Sequence, residues 1–159
     1  MEAQSAKQKP YRTLVDYLID SIRSYQRYRR SKGPFALMMR KLVRVKYEVL
    51  TKITGADIGI EAKLGCNLKL PHPVGIVIHR DTVIGDDCMV MQQVTLGTLA
   101  QGGGPKIGSR VYIGAGAKVL GPIVIGDDAK VGANAVVLID VPPGATAVGV
   151  PAKIIQPFH

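Results

Sequence analysis

The chain has 159 residues, the length of one domain, and it combines many aliphatic side chains with only two Phe and no Trp, so its core must consist mainly of Ile and Val. Two cysteines, Cys66 and Cys88, are too few for a disulfide framework, and no apolar run has the length of a signal peptide or a bilayer span, so we expect reduced thiols and a cytoplasmic location. The formal charge is +9, yet no nucleic-acid module or basic groove with interleaved aromatic residues accompanies it, so we expect no nucleic-acid partner.

The first third of the chain, residues 1–55, predicts a basic region of two helices. It holds 13 Lys and Arg against 4 acidic residues, whereas residues 56–159 hold 8 of each. Apolar residues keep helical spacing on both sides of a break at Gly33-Pro34. They are Tyr11, Leu14, Val15, Leu18, Ile19, Ile22 and Tyr25 before the break, and Phe35, Met38, Leu42, Val49, Leu50 and Ile53 after it.

A basic amphipathic pair of helices fits more than one role. Its charged side chains can form a solvated face on helices that pack against the rest of the chain, which is the simplest interpretation. They can also hold the protein at the anionic inner face of a membrane as a peripheral contact. Both interpretations stay open at this point.

The remainder, residues 56–159, contains an aliphatic residue at every sixth position, a period that is neither helical nor that of a strand. Short-period repetition of this kind is typical of a solenoid. Each hexad predicts one short strand and a corner, three hexads close one triangular coil, and the aliphatic residues point into the prism, with coils stacked at about 4.8 Å. Glycines fall at the corners, where a tight turn favours them. The hexads begin at Ile58, Leu64, Leu70, Ile78, Ile84, Val90, Leu96, Ile107, Ile113, Val119, Ile125, Val131 and Val137.

Two breaks interrupt this register. Two extra residues separate Leu70 from Ile78, and a longer excursion runs from Thr98 to Lys106. Interruptions in a strict repeat are where functional residues tend to lie. The same hexad position returns to the same edge of the prism after three hexads, so the register predicts vertical columns of residues. One such column contains His72, Gln92, Ala115 and Ala133.

This column predicts the functional site. His72 lies beside the first break in the segment LPHPVG, where prolines on both sides restrict its backbone. Gln92 adds an amide above it, and the small residues Ala115 and Ala133 leave the backbone open along a groove. We therefore expect His72 to be functional and Gln92 to lie on the substrate side. His79 occupies a corner position that points outward and is the weaker candidate on that side.

Six segments together resemble the hexapeptide-repeat acyltransferases, close to the serine acetyltransferases and to the related O-acetyltransferases of exopolysaccharide gene clusters. They are ADIGIEAKLG, LPHPVGIVI, QQVTLG, PKIGSRVYIGAGAKVLG, VGANAVV and PPGATAVGVPAKII, within residues 56–155. The resemblance implies a mainly β fold, with a left-handed parallel β-helix and a C-terminal tail in residues 56–159 and a short α-helical region in residues 1–55. It also implies a homotrimer that binds its co-substrate acetyl-CoA between neighbouring prisms.

The resemblance assigns a catalytic pair. The histidine of the motif that matches PHPVGIVI is the general base of that family, which here is His72, and an aspartate fifteen residues earlier orients it, which here is Asp57. The carboxylate fixes the imidazole tautomer, and the imidazole takes the proton from an acceptor hydroxyl as it attacks the thioester. From the residues alone, Asp57 could also be a cap at the end of the helical region.

The resemblance also implies where acetyl-CoA binds. The positions are Gly97, Thr98, Ala115, Ala133, Lys130 and Lys153. Backbone groups of the first four would line the channel for the pantetheine arm, although Thr98 stands where the serine enzymes commonly have a second glycine. The two lysines would approach the phosphates and the adenosine.

Three residues depart from the serine acetyltransferases. Pro71 replaces the aspartate that precedes the catalytic histidine, and Gly103 and Gly104 lie in a shortened loop where those enzymes have an Arg-His pair for the carboxylate of the amino acid. Such a loop would leave an open mouth suited to a saccharide. The leading hypothesis is therefore O-acetyl transfer to a sugar hydroxyl, on an oligosaccharide that could be lipid-linked, in exopolysaccharide or capsule biosynthesis.

Three alternatives remain. The first is a divergent serine O-acetyltransferase of cysteine biosynthesis, and the second is a non-catalytic trimeric scaffold. The third is a zinc-dependent carbonic anhydrase, since left-handed solenoids also support that activity with three histidines at a subunit interface. The register does not bring His72, His79 and His159 together, so we expect no metal site.

Overall fold

The structure is a computed structural model that describes residues 12–155. Tyr11 of the predicted first helix and His159 of the predicted tail lie outside these residues. Within this range, two α-helices are followed by fourteen short strands that wind into a prism. Neither helix in this range has the length and apolar content needed to cross a membrane.

The two helices form where the sequence predicts them. Helix α1, Leu14–Arg30, begins at a capping box, in which the Thr13 amide donates to Asp16 Oδ2 over 2.7 Å and the Asp16 amide donates to Thr13 Oγ1 over 3.3 Å. Helix α2, Pro34–Thr54, begins with a proline that needs no amide partner and ends at Gly55, whose φ of 68° is left-handed.

The buried face of α2 differs from the one its apolar pattern indicates. Its buried residues are Ala36, Tyr47, Leu50 and Thr54. Of the six predicted apolar positions only Leu50 is among them, and the others are exposed. Helix α1 and the first coil therefore cover one side of α2 and leave a second apolar side open.

The prism is built from strands of two or three residues. They are β1 (Asp57–Ile58), β2 (Lys63–Leu64), β3 (Val77–Ile78), β4 (Val83–Ile84), β5 (Met89–Val90), β6 (Thr95–Gly97), β7 (Lys106–Ile107), β8 (Tyr112–Ile113), β9 (Lys118–Leu120), β10 (Val124–Ile125), β11 (Lys130–Val131), β12 (Val136–Val137), β13 (Thr146–Val148) and β14 (Lys153–Ile155).

These strands form the three faces of the prism, and the six-residue register is confirmed. One face is β1-β3-β6-β9-β12, the second is β2-β4-β7-β10 and the third is β5-β8-β11-β13, all parallel. The strand β14 reverses direction and pairs antiparallel with β13. In the first face the residues that lie opposite one another are Ile58, Ile78, Leu96, Val119 and Val137.

The core is a stack of these aliphatic residues. All the predicted hexad residues are buried except Leu64, which is half-buried and packs against the core. Most residues four positions later are buried too, for example Ala117, Ala129 and Ala135, whereas Val74 and Ala100, at the two breaks, are exposed. Burial of each aliphatic side chain stabilises the fold by about 1.5–3 kcal/mol, so the core extends continuously through the coils without aromatic residues.

The first coil has no coil beneath it, and the helices supply the missing hydrogen-bond donors. Four of its backbone carbonyl groups accept hydrogen bonds from helical side chains. The donors and acceptors are Tyr47 Oη to Ile58 (2.8 Å), Gln26 Nε2 to Ile60 (3.0 Å) and to Ala62 (2.9 Å), and Arg23 Nη2 to Gly65 (2.5 Å). Unpaired carbonyl groups at the end of a solenoid would otherwise depend on water.

The corner glycines have a different role from the predicted one. A Cβ atom on Gly114 would lie 2.6 Å from the Ala133 amide nitrogen, so this glycine is needed for the close approach of two coils. The left-handed turns at another corner are made instead by Asn67, Asp87 and Arg110, which have φ values of 53° to 58°. Asparagine and aspartate tolerate this conformation better than most residues.

Charged side chains form a ladder at that corner. Arg110 donates through Nε and Nη2 to the two carboxylate oxygens of Asp128, over 2.7 and 2.8 Å. This paired hydrogen bond lowers the pKa of Asp128 and raises the pKa of Arg110. Asn67 Nδ2 donates a single hydrogen bond to Asp87 Oδ1 over 2.7 Å. Side chains of successive coils thus hold one another at the turns.

The two cysteines should differ in reactivity. Both are free thiols, Cys66 exposed and Cys88 buried, and the Cys88 Sγ donates to the Gly108 carbonyl over 3.0 Å. Burial raises the pKa of Cys88, so less reactive thiolate is present. We expect a thiol reagent such as dithionitrobenzoate to modify Cys66 rapidly in the folded protein and Cys88 only in denaturant. A Cys66→Ser variant is the control, and rapid labelling of that folded variant would contradict the packing described.

Candidate functional site

The first break in the repeat places His72 outside the predicted column. On the N-terminal side of the break the Lys69 carbonyl accepts from the Val90 amide of the next coil. On its C-terminal side the Val74 carbonyl accepts from the Gln93 amide. The two extra residues are therefore absorbed before the corner, between Pro71 and Pro73. Val74, and not His72, lies beneath Gln92, so the predicted lowest member of the column is wrong.

The upper part of the column is as predicted. The Gly116 amide donates to the Gln92 carbonyl over 2.9 Å, and the Asn134 amide donates to the Ala115 carbonyl over 2.8 Å. Ala133 is the exposed residue on the next coil. Small side chains thus leave the backbone accessible along this edge, above the corner that carries His72.

His72 and Asp57 lie on neighbouring segments but do not bond to each other. The Asp57 amide donates to the Ile76 carbonyl over 2.8 Å, which brings β1 against the strand that follows His72. Both side chains are exposed. Among residues 12–155 no hydrogen bond or ion pair of the Asp57 carboxylate or the His72 ring is present. One chain therefore supplies both groups without fixing their mutual orientation.

The Asp57 carboxylate also lies close to a tyrosine. Burial of Tyr47 raises its pKa, and the negative charges of Asp57 and Glu48 raise it further. The Tyr47 hydroxyl donates to the Ile58 carbonyl over 2.8 Å. The phenol therefore stays protonated and holds α2 next to the strand that carries Asp57.

Gln92 is the polar side chain of this edge with an unmet hydrogen-bonding requirement. It is half-buried, and its Oε1 atom is fully buried without a partner among the described residues. A buried acceptor without a donor is costly, by about 1–3 kcal/mol. The Lys118 Nζ donates nearby to the Gln93 carbonyl over 2.7 Å, not to Gln92.

The other candidate positions lie elsewhere on the prism. Gly97 and Thr98 stand at the end of β6, beside the long loop, while Lys130 and Lys153 are exposed on β11 and β14 of the third face. A single chain does not bring these residues around one point. His79 lies at the corner after β3, where its Nδ1 accepts from the Asp81 amide over 3.3 Å.

No metal centre is visible in the part of the chain that the structure describes. Within residues 12–155, no group of three or more His, Cys, Asp or Glu side chains is arranged to hold an ion. His72 and His79 lie at different corners, and His159 is outside that range.

The last part of the loop from residue 98 to 105 lies directly on the prism. A Cβ atom on Gly103 would lie 3.1 Å from Pro122 Cβ, and one on Gly104 would lie 2.8 Å from the Thr82 amide nitrogen. Gly104 and Pro105 are buried. The glycines therefore allow the loop to lie directly on the prism, which the composition of the loop did not indicate.

A shallow basic concavity is a further feature that the sequence pattern did not indicate. It lies at the C-terminal end of α1 and is lined by Arg23, Gln26, Arg27, Arg30 and Ser31. Two of these residues, Arg23 and Gln26, are already used to bond the first coil.

Comparison with known proteins defines the class. Residues 104–138 match the family described as bacterial transferase hexapeptide (six repeats). Together with three parallel faces in a six-residue register, this makes the chain a left-handed parallel β-helix of hexapeptide repeats, as predicted. Within this class it is similar to the serine acetyltransferases, which confirms the resemblance seen in its motifs.

Three proteins carry that similarity. The Escherichia coli K12 serine acetyltransferase is 42% identical over 131 residues, which are 80% of this chain and 45% of that protein. The soybean serine acetyltransferase complexed with serine has a TM-score of 0.77 and 37% identity, over 89% of this chain and 57% of that one. The Brucella abortus S19 serine acetyltransferase in complex with coenzyme A has a TM-score of 0.77 and 30% identity, over 96% of this chain and 63% of that one. The chain thus spans about half the length of the curated relatives it matches.

These relatives overturn the predicted acceptor. They are serine acetyltransferases, and nothing in them points to an exopolysaccharide enzyme. The prediction of a sugar hydroxyl in exopolysaccharide or capsule biosynthesis is therefore wrong, and the serine alternative fits better. The prediction depended on side chains absent at Pro71, Gly103 and Gly104, and missing contacts do not identify the substrate that the remaining residues hold.

Contact between the loop and the prism can be tested at Gly104. We expect Gly104→Ala to lower the free energy of unfolding by about 1–3 kcal/mol, because the added methyl group would overlap backbone atoms. Urea denaturation measures this change. Gln101→Ala, at the exposed tip of the same loop, is the control and should change little. Equal stability of the two variants would show that the loop is not held against the prism.

Proposed function

We propose that this protein is a serine O-acetyltransferase that uses acetyl-CoA. The observation that carries the proposal is the match of nine-tenths of the chain to solved serine acetyltransferases, one complexed with serine and one with coenzyme A. In this reaction the serine hydroxyl oxygen forms a bond to the thioester carbonyl carbon, the carbon–sulfur bond breaks, and coenzyme A leaves as the thiol.

His72 is the proposed general base. Its ring is exposed and without a described partner, so it is free to accept the proton of the serine hydroxyl as the oxygen attacks. Asp57 is its proposed orienting residue, because β1 packs against the segment that follows His72. The proton taken by the ring then passes to the departing sulfur.

Gln92 is the proposed contact for the amino acid. Its Oε1 is buried without a donor among the described residues, and a turn of this half-buried side chain toward the groove would let it accept from the ammonium group of serine. This acceptor lies one coil above Val74, near the position where Pro71 removes a carboxylate. Gln92 would thus replace a charged contact by a neutral one. His79, bonded to the turn at Asp81, has no assigned role in this proposal.

The acetyl-CoA site is proposed to lie between two subunits of a homotrimer. Ala115 and Ala133 leave room for the pantetheine arm at the corner with Gln92, and the exposed Lys130 and Lys153 suit phosphate groups. Gly97 and Thr98 are proposed to face the same ligand from a neighbouring prism, since they stand at the other end of their strand. Two prisms would therefore complete one site.

Three expectations from the sequence, on location, membrane contact and domain division, stay predictions. A cytoplasmic location and a peripheral membrane contact through the helices stay predictions. The division of the chain into residues 1–55 and 56–159 also stays a prediction. The buried core does not mark this boundary, because both parts contribute residues to it.

The acceptor is tested directly with purified protein. Incubation with acetyl-CoA and L-serine should release coenzyme A in a saturable manner and yield O-acetylserine, identified by mass spectrometry. L-alanine, which lacks the hydroxyl group, is the matched control and should give only background hydrolysis. Binding of acetyl-CoA without acetyl transfer to serine would refute the proposed acceptor, and no binding at all would favour the non-catalytic scaffold.

The base is tested by substitution. We expect His72→Ala to lower kcat by about two to four orders of magnitude, the usual share of a positioned general base, and to leave acetyl-CoA affinity nearly unchanged. Asp57→Asn should lower the same parameter by less. His79→Ala is the control and should retain most activity. A larger loss in His79→Ala than in His72→Ala would show that the site lies at the other corner.

A further inference from the structure

Helix α2 carries a second apolar stripe that its own chain leaves uncovered. Its members recur at intervals of three and four residues and are 49% to 65% exposed. They are Phe35, Met38, Leu42, Val45, Val49 and Ile53, here called the α2 stripe. A different side of the helix contains the buried Tyr47 and Leu50. Six large apolar side chains in one row on an exposed face are unusual for a monomer.

The α2 stripe continues onto the prism at the His72 corner. Gly55, two residues beyond Ile53, contacts Val74, and its carbonyl accepts from the Gly75 amide over 2.8 Å. Val74 is itself 65% exposed, and Val77, beside Asp57 in the first face, is 41% exposed. Exposed apolar side chains are therefore present both along α2 and at the His72 corner that the end of α2 contacts.

The size of the α2 stripe shows what kind of contact it can make. From Phe35 to Ile53 it extends about 27 Å at 1.5 Å per residue, and a helix is about 10 Å wide. The helix alone therefore offers roughly 300 Å², well below the ~800 Å² per partner that stable complexes bury. The α2 stripe is too small to form a stable interface by itself but large enough to extend one.

Its width favours protein over lipid, and its charges favour a threefold over a twofold contact. At 100° per residue the α2 stripe covers only about 80° of the helix, the narrow seam of helix packing, whereas a helix lying in a membrane presents a broad apolar face. Lys41, Lys46 and Lys52 flank it, and the acidic Glu48 already lies 3.9 Å from Arg44. Two copies of α2 face to face would bring like charges together. A threefold contact avoids this, because it joins different surfaces of the two subunits.

We propose that a second copy of this chain covers the α2 stripe, so that the contact between subunits extends from the His72 corner along the whole of α2. The inference rests on the homotrimer of the proposed function and adds the surface that holds it together. It also links assembly to the site, because the hydrogen bond from Gly75 to Gly55 ties the end of α2 to the segment that carries His72.

The test compares two glutamates placed on the same helix. Leu42→Glu puts a charge in the α2 stripe, whereas Leu37→Glu puts it at a leucine of similar exposure, 52% against 56%, on another side of α2. Light scattering coupled to gel filtration measures the mass of each. We expect the wild type and Leu37→Glu to be trimers. We expect Leu42→Glu to form a weaker trimer, which dissociates at a protein concentration about tenfold or more above that at which the wild type dissociates. Circular dichroism checks the fold, and Leu42→Ala, with a smaller effect in the same direction, replaces the glutamate variant if that one misfolds.

The outcomes separate this inference from the proposed activity. A Leu42→Glu protein that stays trimeric overturns the inference while serine acetylation in the wild type stands. A wild-type trimer that dissociates on Leu42→Glu but never acetylates serine supports the inference and refutes the activity. A monomeric wild type, or a wild-type trimer that binds phosphatidylglycerol vesicles through Leu42, overturns the inference because the α2 stripe would then be open.

Discussion

The close stacking of one coil on the next is the constraint on which the rest of the molecule depends. Each coil repeats the backbone of the one below, so that a Cβ atom on Gly108 would lie 2.7 Å from the Asp127 amide nitrogen. At that spacing inward side chains must be aliphatic and of similar size, and an inserted residue cannot be accommodated within a strand. Insertions move to the corners, and the corners therefore carry the residues that can be spared from the core.

This constraint explains what could be predicted from the sequence. The strict six-residue spacing located strands, core residues and both breaks, because a single period determines every inward position. Spacing does not show on which side of an insertion the chain bulges. It therefore assigns to His72 the position beneath Gln92 that Val74 occupies in the structure. The loop containing Gly103 and Gly104 was misjudged for a related reason, since a glycine can give a chain freedom or let it lie flat on a neighbour. The sequence does not show which apolar residues of α2 are buried, because the same residue types occur on its buried side and on its exposed side.

In a single chain, several residues of the candidate site lack the contacts that would fix their positions. Among the described residues the His72 ring and the Asp57 carboxylate are exposed and unbonded, Gln92 has a buried oxygen without a donor, and the positions implied for acetyl-CoA lie on two faces of the prism. A catalytic group works when its neighbours fix its geometry before the substrate arrives. Here those neighbours include a substrate and, by the assembly proposed, another subunit. In the assembly proposed, activity would depend on protein concentration, since a dissociated chain would lose one wall of the site.

The way the prism ends has a consequence for solubility. A solenoid is a stack with two open ends, and nothing in its repeat prevents a further chain from adding to either end, as in a fibre. Side chains of α1 and α2 donate hydrogen bonds to carbonyl groups at one end, so these carbonyl groups are not free to pair with a further strand. At the other end β14 turns back against β13 and presents a three-residue edge that begins with Lys153. Short, charged edges resist the addition of strands. Within the described residues the prism is thus capped at both ends, and removal of either cap would expose a surface on which copies of the prism could polymerise end to end.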